Sequence, residues 1–262
     1  MPRLRNSLVT AALAALLVAC EAAPADAPPE TRARGEQTGG PRLGLMSSLP
    51  LVWPLGADVG AIAGGGAGVP WQREALGEAF AIEPLDTLSP IPALSPGKAE
   101  TDPLAGLALL AVIQPRGLSP ADNVALDRWV RGGGRLLLVL DPALTGAYDL
   151  PLGDPRRPID SALIPPVAKR WGLGISFDDG AVPGVVQSRL GDTPLPLVLP
   201  GRIAISDPGA ARCTLLAGGA AARCAVGEGQ VTLIADAALF EHRELAGEGG
   251  TGLRALVEAA LR

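Results

Sequence analysis

The stretch that most constrains the fold is LALLAVIQPRGLSPADNVALDRWVRGGGRLLLVLDPA, residues 107–143. It reads as strand, loop, helix, glycine turn, strand. Leu107–Ile113 and Arg135–Leu140 are apolar runs of strand length, and their continuity suits parallel strands covered on both faces. Between them Ser119 is placed to cap a helix, Pro120 fits its first position, and Asp122 puts a carboxylate in the first turn. Leu126, Trp129 and Val130 share one helical face, with Arg128 and Arg131 turned away from it. Gly132-Gly133-Gly134 ends the helix, since glycine enters the left-handed region without a Cβ clash. The unit is βαβ, and strands alternating with helices along the chain predict a doubly wound, mainly parallel α/β sheet.

The N-terminus carries a targeting pattern. Arg3 and Arg5 precede an apolar run, Leu8–Ala19, of 12 residues. Spanning a bilayer takes about 20, so the run is expected to be a signal segment rather than an anchor. It ends in Leu17-Val18-Ala19-Cys20, which resembles the bacterial lipobox. Residues 1–20 are then a lipoprotein signal peptide and Cys20 is the lipidated residue. An ordinary secretory cleavage after Ala23 or Ala25 is the alternative. Residues 21–41, EAAPADAPPETRARGEQTGGP, have no apolar period and predict a disordered tether with a reach of roughly 25 Å. Glu21 after the cysteine weakly favours the outer membrane, with the folded part facing the periplasm.

Residues 42–262 are expected to form one α/β domain. Arg42–Leu49 reads as the first strand, and residues 50–70 as a long glycine-rich loop that holds Trp53. Trp71–Ala79 reads as a helix and Ala81–Leu85 as the second strand. The pattern changes after Leu144. Ile159–Trp171 predicts a helix kinked or restarted at Pro165-Pro166. Gly174–Phe177, Val182–Ser188 and Leu195–Ile205 read as strands, giving a β-rich C-terminal part. Cys213–Leu216 and Ala222–Val226 flank Ala217-Gly218-Gly219-Ala220, a hairpin signal. Gln230–Ala235 is a buried-type strand, and residues 251–261 form an amphipathic closing helix. With Cys20 assigned to lipid, Cys213 and Cys224 face each other across the hairpin and predict a disulfide. Two buried thiols are the alternative.

Several chemistries are disfavoured by the residues present. The chain has a net charge of −5 and lacks a Lys/Arg run, so nucleic acid is not an expected partner. Its single histidine, His242, lies in the polar run EHRE and is expected on an exposed face; zinc would need more ligands of that kind. Neither a metal nor a cofactor is expected, and the glycine cluster at 64–68 reads as a flexible loop rather than a dinucleotide fingerprint. Gly117-Leu118-Ser119-Pro120-Ala121 imitates a nucleophile elbow. However, the residue after the serine must donate a backbone N–H, and Pro120 has none. A cap explains Ser119 better, and Ser119→Asp is expected to keep the fold. Asp141 and Asp236 each end a buried strand, at the edge where doubly wound sheets bind ligands. They could converge as paired carboxylates of the glycosidase kind, or act as local caps, in which case Asp→Asn changes leave the fold largely intact.

Three stretches carry a family resemblance. Residues 107–144, PPVAKRWGLGISFDDG at 165–180 and GEGQVTLIADAALF at 227–240 resemble GldG-like auxiliary proteins of uncharacterised ABC transport systems. The resemblance implies a class I glutamine-amidotransferase-like fold in a non-catalytic role, exported and tied to envelope transport or assembly. The chain shows no counterpart of the family's C-terminal membrane helix, a role the lipid anchor would fill. The amidotransferase nucleophile is missing too, because no cysteine follows a proposed parallel strand. The expected function is therefore a lipid-anchored periplasmic accessory or binding protein with an envelope protein or glycan as partner. Its ligand face is expected at the strand ends: Ser47, Ser48, Trp53, Gln114, Arg116, Asp141 and Asp236. The alternative is an envelope saccharide hydrolase using Asp141 and Asp236.

Overall fold

The computed structural model describes residues 39–93 and 95–262. The signal segment, Cys20 and the tether up to residue 38 lie outside the described residues. A seven-stranded sheet forms the centre of the domain. Its strands are β1 (Arg42–Ser47), β2 (Ala81–Pro84), β3 (Leu109–Ile113), β4 (Arg135–Val139), β9 (Arg212–Leu216), β10 (Ala221–Val226) and β11 (Gly229–Ile234), in the order β2-β1-β3-β4-β11-β10-β9. The first five of that order run parallel, and β10 and β9 close the sheet as an antiparallel pair. This is the doubly wound order 2-1-3-4-5, with β11 as the fifth strand.

Strand periodicity sends alternate residues to opposite faces, and both faces are dry. Ala111, Ile113, Leu137 and Val139 face one core. There they meet α2 (Trp71–Gly77) and α6 (Thr251–Ala260) through Leu76, Leu253, Leu256 and Val257. Leu110, Val112, Leu136 and Leu138 face the other core, under α3 (Pro120–Arg131) and α4 (Pro166–Arg170). The continuous apolar runs of β3 and β4 are thus two alternating sets laid side by side.

Helix α3 follows its sequence signals closely. Ser119 Oγ accepts from the Asp122 N–H at 3.0 Å, and Asp122 Oδ2 accepts in return from the Ser119 N–H at 3.1 Å, a reciprocal capping box. At the other end the glycines divide the work. Gly133 takes the positive φ of 104°, whereas Gly134 is required by packing: a Cβ there would lie 2.5 Å from the Trp129 ring.

The long crossover from β4 to β11 holds five further elements ahead of β9 and β10. They are α4, β5 (Leu173–Ser176), β6 (Val185–Leu190), β7 (Thr193–Val198) and β8 (Arg202–Ile205). β5 pairs with β8, and β6 with β7, as antiparallel ribbons on opposite faces of the main sheet. Two expectations change here. The helix predicted over 159–171 shrinks to α4, because Pro165 is extended at the N-cap and Pro166 opens a helix at its first position. The loop at 50–70 contains a turn of helix, α1 (Val59–Ala63), capped by Asp58 Oδ1 on the Ala61 N–H at 2.8 Å.

Candidate functional site

Adjacent parallel strands end on one edge, so Ser47-Ser48, Gln114, Asp141 and Asp236 follow β1, β3, β4 and β11 in a row. Their polar atoms are largely occupied within the fold. The Ser48 Oγ–H and N–H both donate to the Gln114 carbonyl, at 2.5 and 3.2 Å. Gln114 is fully buried at a φ of 44°, outside the region non-glycine residues favour. Its side chain holds it there. Nε2 donates to the carbonyls of Asp141 at 2.9 Å and Ile159 at 3.0 Å, and Oε1 accepts from the Asp141 N–H at 2.8 Å. The crevice between β1 and β3, where the strand order reverses, is therefore stitched shut.

The two aspartates do the same between β4, β11 and β7. Asp141 is 0 % exposed, and its Oδ1 accepts from the Ala143 N–H at 2.8 Å. Its Oδ2 reaches across to the Ala237 N–H at 2.7 Å. Asp236 is 3 % exposed; its Oδ1 accepts from the Ala238 N–H at 2.8 Å and its Oδ2 from the Val198 N–H at 2.7 Å. Each carboxylate closes a local turn with one oxygen and ties a neighbouring segment with the other. The local bond of Asp236 meets the start of the short helix α5 (Ala238–Glu241); that of Asp141 serves a turn with no helix behind it. An asparagine has one acceptor oxygen, so it would leave one buried N–H facing an amide NH₂. Asp→Asn is not neutral here.

Burial pushes the Asp141 carboxyl up to about 7, against the pull of the Ala237 and Ala143 N–H groups and with a further push from the Glu241 charge. Burial likewise lifts Asp236 to about 8, and the Asp141 charge adds to it. A second cluster sits above them. Glu241 Oε1 accepts from the Tyr148 hydroxyl at 2.7 Å and the Gly146 N–H at 2.9 Å, while Oε2 accepts from the Thr145 N–H at 3.1 Å. Burial raises the Tyr148 phenol above its ordinary value, as does the Glu241 carboxylate beside it. His242 differs from its expectation. It is half-buried, with Nε2 2.8 Å from Thr145 Oγ1.

Open space lies beside β1. A cavity of about 240 Å³ is lined by Ser47, Ser48, Trp53, Ile62, Asp86 and Arg156, among others. Trp53 is 41 % exposed, and the Arg73 guanidinium stacks on its ring at 4.9 Å from the centroid. Arg116 stands outside this cavity, exposed, donating to the Arg157 carbonyl at 2.7 Å. Of the sequence candidates, Ser47, Ser48 and Trp53 are thus brought together at a cavity, while Gln114, Asp141 and Asp236 form the buried layer behind the strand ends. Sequence reasoning missed Arg156, Tyr148 and Glu241. The available signal was Tyr148, the only tyrosine in the chain.

Cys213 and Cys224 are directly opposed on β9 and β10 and form a disulfide. Among the described residues no group of three or more His, Cys, Asp or Glu is placed to hold a metal ion, and no helix is long and apolar enough to cross a membrane.

No protein-family model and no curated protein matches the chain. Solved structures resemble it weakly. The exo-beta-1,4-mannosidase Op5Man5 from Opitutaceae bacterium strain TAV5 aligns with a TM-score of 0.46 and 15% identity, over 85% of this chain and 36% of the enzyme. The cold-adapted beta-galactosidase from Rahnella sp. R3 aligns at 0.44 and 13%, over 84% of this chain and 31% of that one. The beta-galactosidase from Bacillus circulans sp. alkalophilus gives 0.42 and 13%, over 84% and 30%. The chain spans about a third of the length of these enzymes.

Proposed function

We propose that this chain is a non-catalytic binding or accessory module of an envelope transport or assembly system, lipid-anchored at Cys20 and facing the periplasm. The strand order fits the finer assignment of a glutamine-amidotransferase-like fold. One observation carries the non-catalytic role. Gln114, Asp141 and Asp236 are buried and spent on backbone hydrogen bonds, so none presents a free base or nucleophile to a substrate. A paired-carboxylate hydrolase needs both carboxyls at the scissile bond. A glycan or envelope protein would be held instead at the Trp53 cavity, by stacking on the partly exposed Trp53 ring.

Two measurements test this function. In a bacterial envelope the chain should take up radiolabelled palmitate and sediment with membranes, and Cys20→Ser should release it to the soluble periplasmic fraction. A wild type that is unlabelled and soluble overturns the anchor. Assayed on chromogenic glycosides, the wild type should show no turnover; hydrolysis that disappears in Asp141→Asn without loss of fold would establish the hydrolase instead.

A further inference from the structure

The strand-end cavity is not the largest hollow in the molecule. Within the β4–β11 crossover, a cavity of about 500 Å³ lies between the β5–β8 ribbon, the β6–β7 ribbon and the turn at 217–220. That volume is in the range of small-molecule sites. A second hollow of about 700 Å³ adjoins it, sharing Arg202, Ala217, Gly218 and Gly219.

The chemistry of this wall contrasts with the sheet edge. The Arg202 guanidinium forms no hydrogen bond or ion pair with any described residue, and neither do the Gln187 amide and the Ser188 hydroxyl. Asp178 Oδ1 accepts from the Gly180 N–H at 3.0 Å, which leaves Oδ2 open. Phe177, half-buried, and Leu197 supply apolar surface. The 217–220 turn lies against the arginine. Ala217, Gly218 and Gly219 have φ of 50°, 65° and 95°, which bends the chain sharply beside the Arg202 side chain. Arg202 thus stands at the junction of the two hollows.

We propose that this cavity binds an acidic saccharide, with the sugar carboxylate on Arg202. A planar guanidinium accepts a carboxylate in a two-point fork. Gln187, Ser188 and Asp178 offer the mixture of donors and acceptors that sugar hydroxyls require, and the Phe177 ring gives a pyranose an apolar face. Asp178 on the same rim works against a bare anion and in favour of one that carries hydroxyls. The position of Arg202 between two hollows suits a chain of at least two sugars. The proposal extends the binding-module function above by naming a ligand class, and it places that ligand away from the Trp53 cavity.

The test is calorimetric titration of the full chain in detergent with digalacturonate, its uncharged counterpart galactobiose, triglutamate and inorganic phosphate. Digalacturonate should bind, and galactobiose and phosphate should each bind at least about tenfold more weakly, since charge-assisted hydrogen bonds are at stake. Arg202→Gln should weaken digalacturonate by about 10- to 100-fold, Arg202→Lys by less, and Val124→Ala, exposed on α3, should leave it unchanged. No digalacturonate binding, binding unchanged by Arg202→Gln, or triglutamate binding as tightly overturns the acidic-saccharide assignment. If Trp53→Ala alone abolishes binding, this site is wrong while the binding-module function stands.

Discussion

Asp122 is the perturbation with the clearest consequence. Its Oδ1 accepts from the Thr87 hydroxyl at 2.7 Å and from the N–H groups of Leu88 and Ser89 at 2.8 and 2.9 Å. Its Oδ2 accepts from the Ser119 N–H at 3.1 Å and the Ser119 hydroxyl at 2.7 Å. Burial works to raise this carboxyl, but the hydrogen bonds from Ser119, Thr87, Leu88 and Ser89 outweigh it and hold the group far below the usual carboxylate range. Asp122→Asn keeps the shape and removes the charge. The better amide orientation leaves its oxygen on Thr87, Leu88 and Ser89 and turns its NH₂ toward Ser119. The serine hydroxyl can rotate to accept, but the Ser119 N–H then has no acceptor. An orphaned donor costs about 1–3 kcal/mol, and three charge-assisted bonds become neutral ones, each weaker by about 1 kcal/mol. Relief from burying a charge offsets part of this, leaving a loss of about 2–4 kcal/mol. Urea unfolding at pH 7 measures it as a lower midpoint at constant slope. The sign of the pH dependence adds a second check. The folded-state carboxyl titrates below its unfolded value of 3.8, so its stabilisation is present above that pH and is lost on acidification. The gap between wild type and Asp122→Asn should therefore narrow from pH 6 to pH 3. A variant within about 0.5 kcal/mol of wild type at pH 7, the usual range for inert surface changes, would refute the reasoning. The same geometry revises Ser119→Asp. A second carboxylate would face Asp122 Oδ2, so the substitution should destabilise rather than keep the fold unchanged.

Other outcomes rest on the same kinds of contact. Asp141 and Asp236 titrate above their unfolded values, at about 7 and 8, so their stabilisation is greatest in acid and declines as pH rises through those values. Thermal unfolding between pH 5.5 and 8.5 should show that decline, flattened in Asp236→Asn; a rise in wild-type stability over this window would contradict it. Replacing Cys213 and Cys224 by alanine opens a loop of sequence separation 11 and should cost about 3 kcal/mol. Peptide mapping without reductant should show the two cysteines linked, and two alkylatable thiols in the native protein would rule the bond out. Gly229→Ala would drive a Cβ into the backbone carbonyls of Val130 and Gly134. An overpacking loss of about 1–3 kcal/mol is expected in denaturant titration, and a neutral result would mean the α3–β11 contact is looser than described.

Local sequence carried the parts of this protein that depend on near neighbours. The continuous apolar runs of β3 and β4, the Ser119 cap and the glycine stop after α3 involve residues a few positions apart, so run length and capping chemistry were enough to read them. The Cys213–Cys224 pairing was legible for the same reason, because a short turn fixes the register of its hairpin. The strand ends were not. Asp141 meets Ala237 across 96 positions, Gln114 meets Asp141 across 27, and Asp236 meets Val198 across 38. Whether those side chains stand free for a ligand or are consumed by the backbone depends on the strand order and on where the long crossover returns. No periodicity encodes that. The isolation of Arg202 has the same origin: its surroundings come from β5, β6 and the 217–220 turn, which only the packed ribbons bring together. Local chemistry set the elements, and long-range hydrogen bonding decided which polar groups remained available.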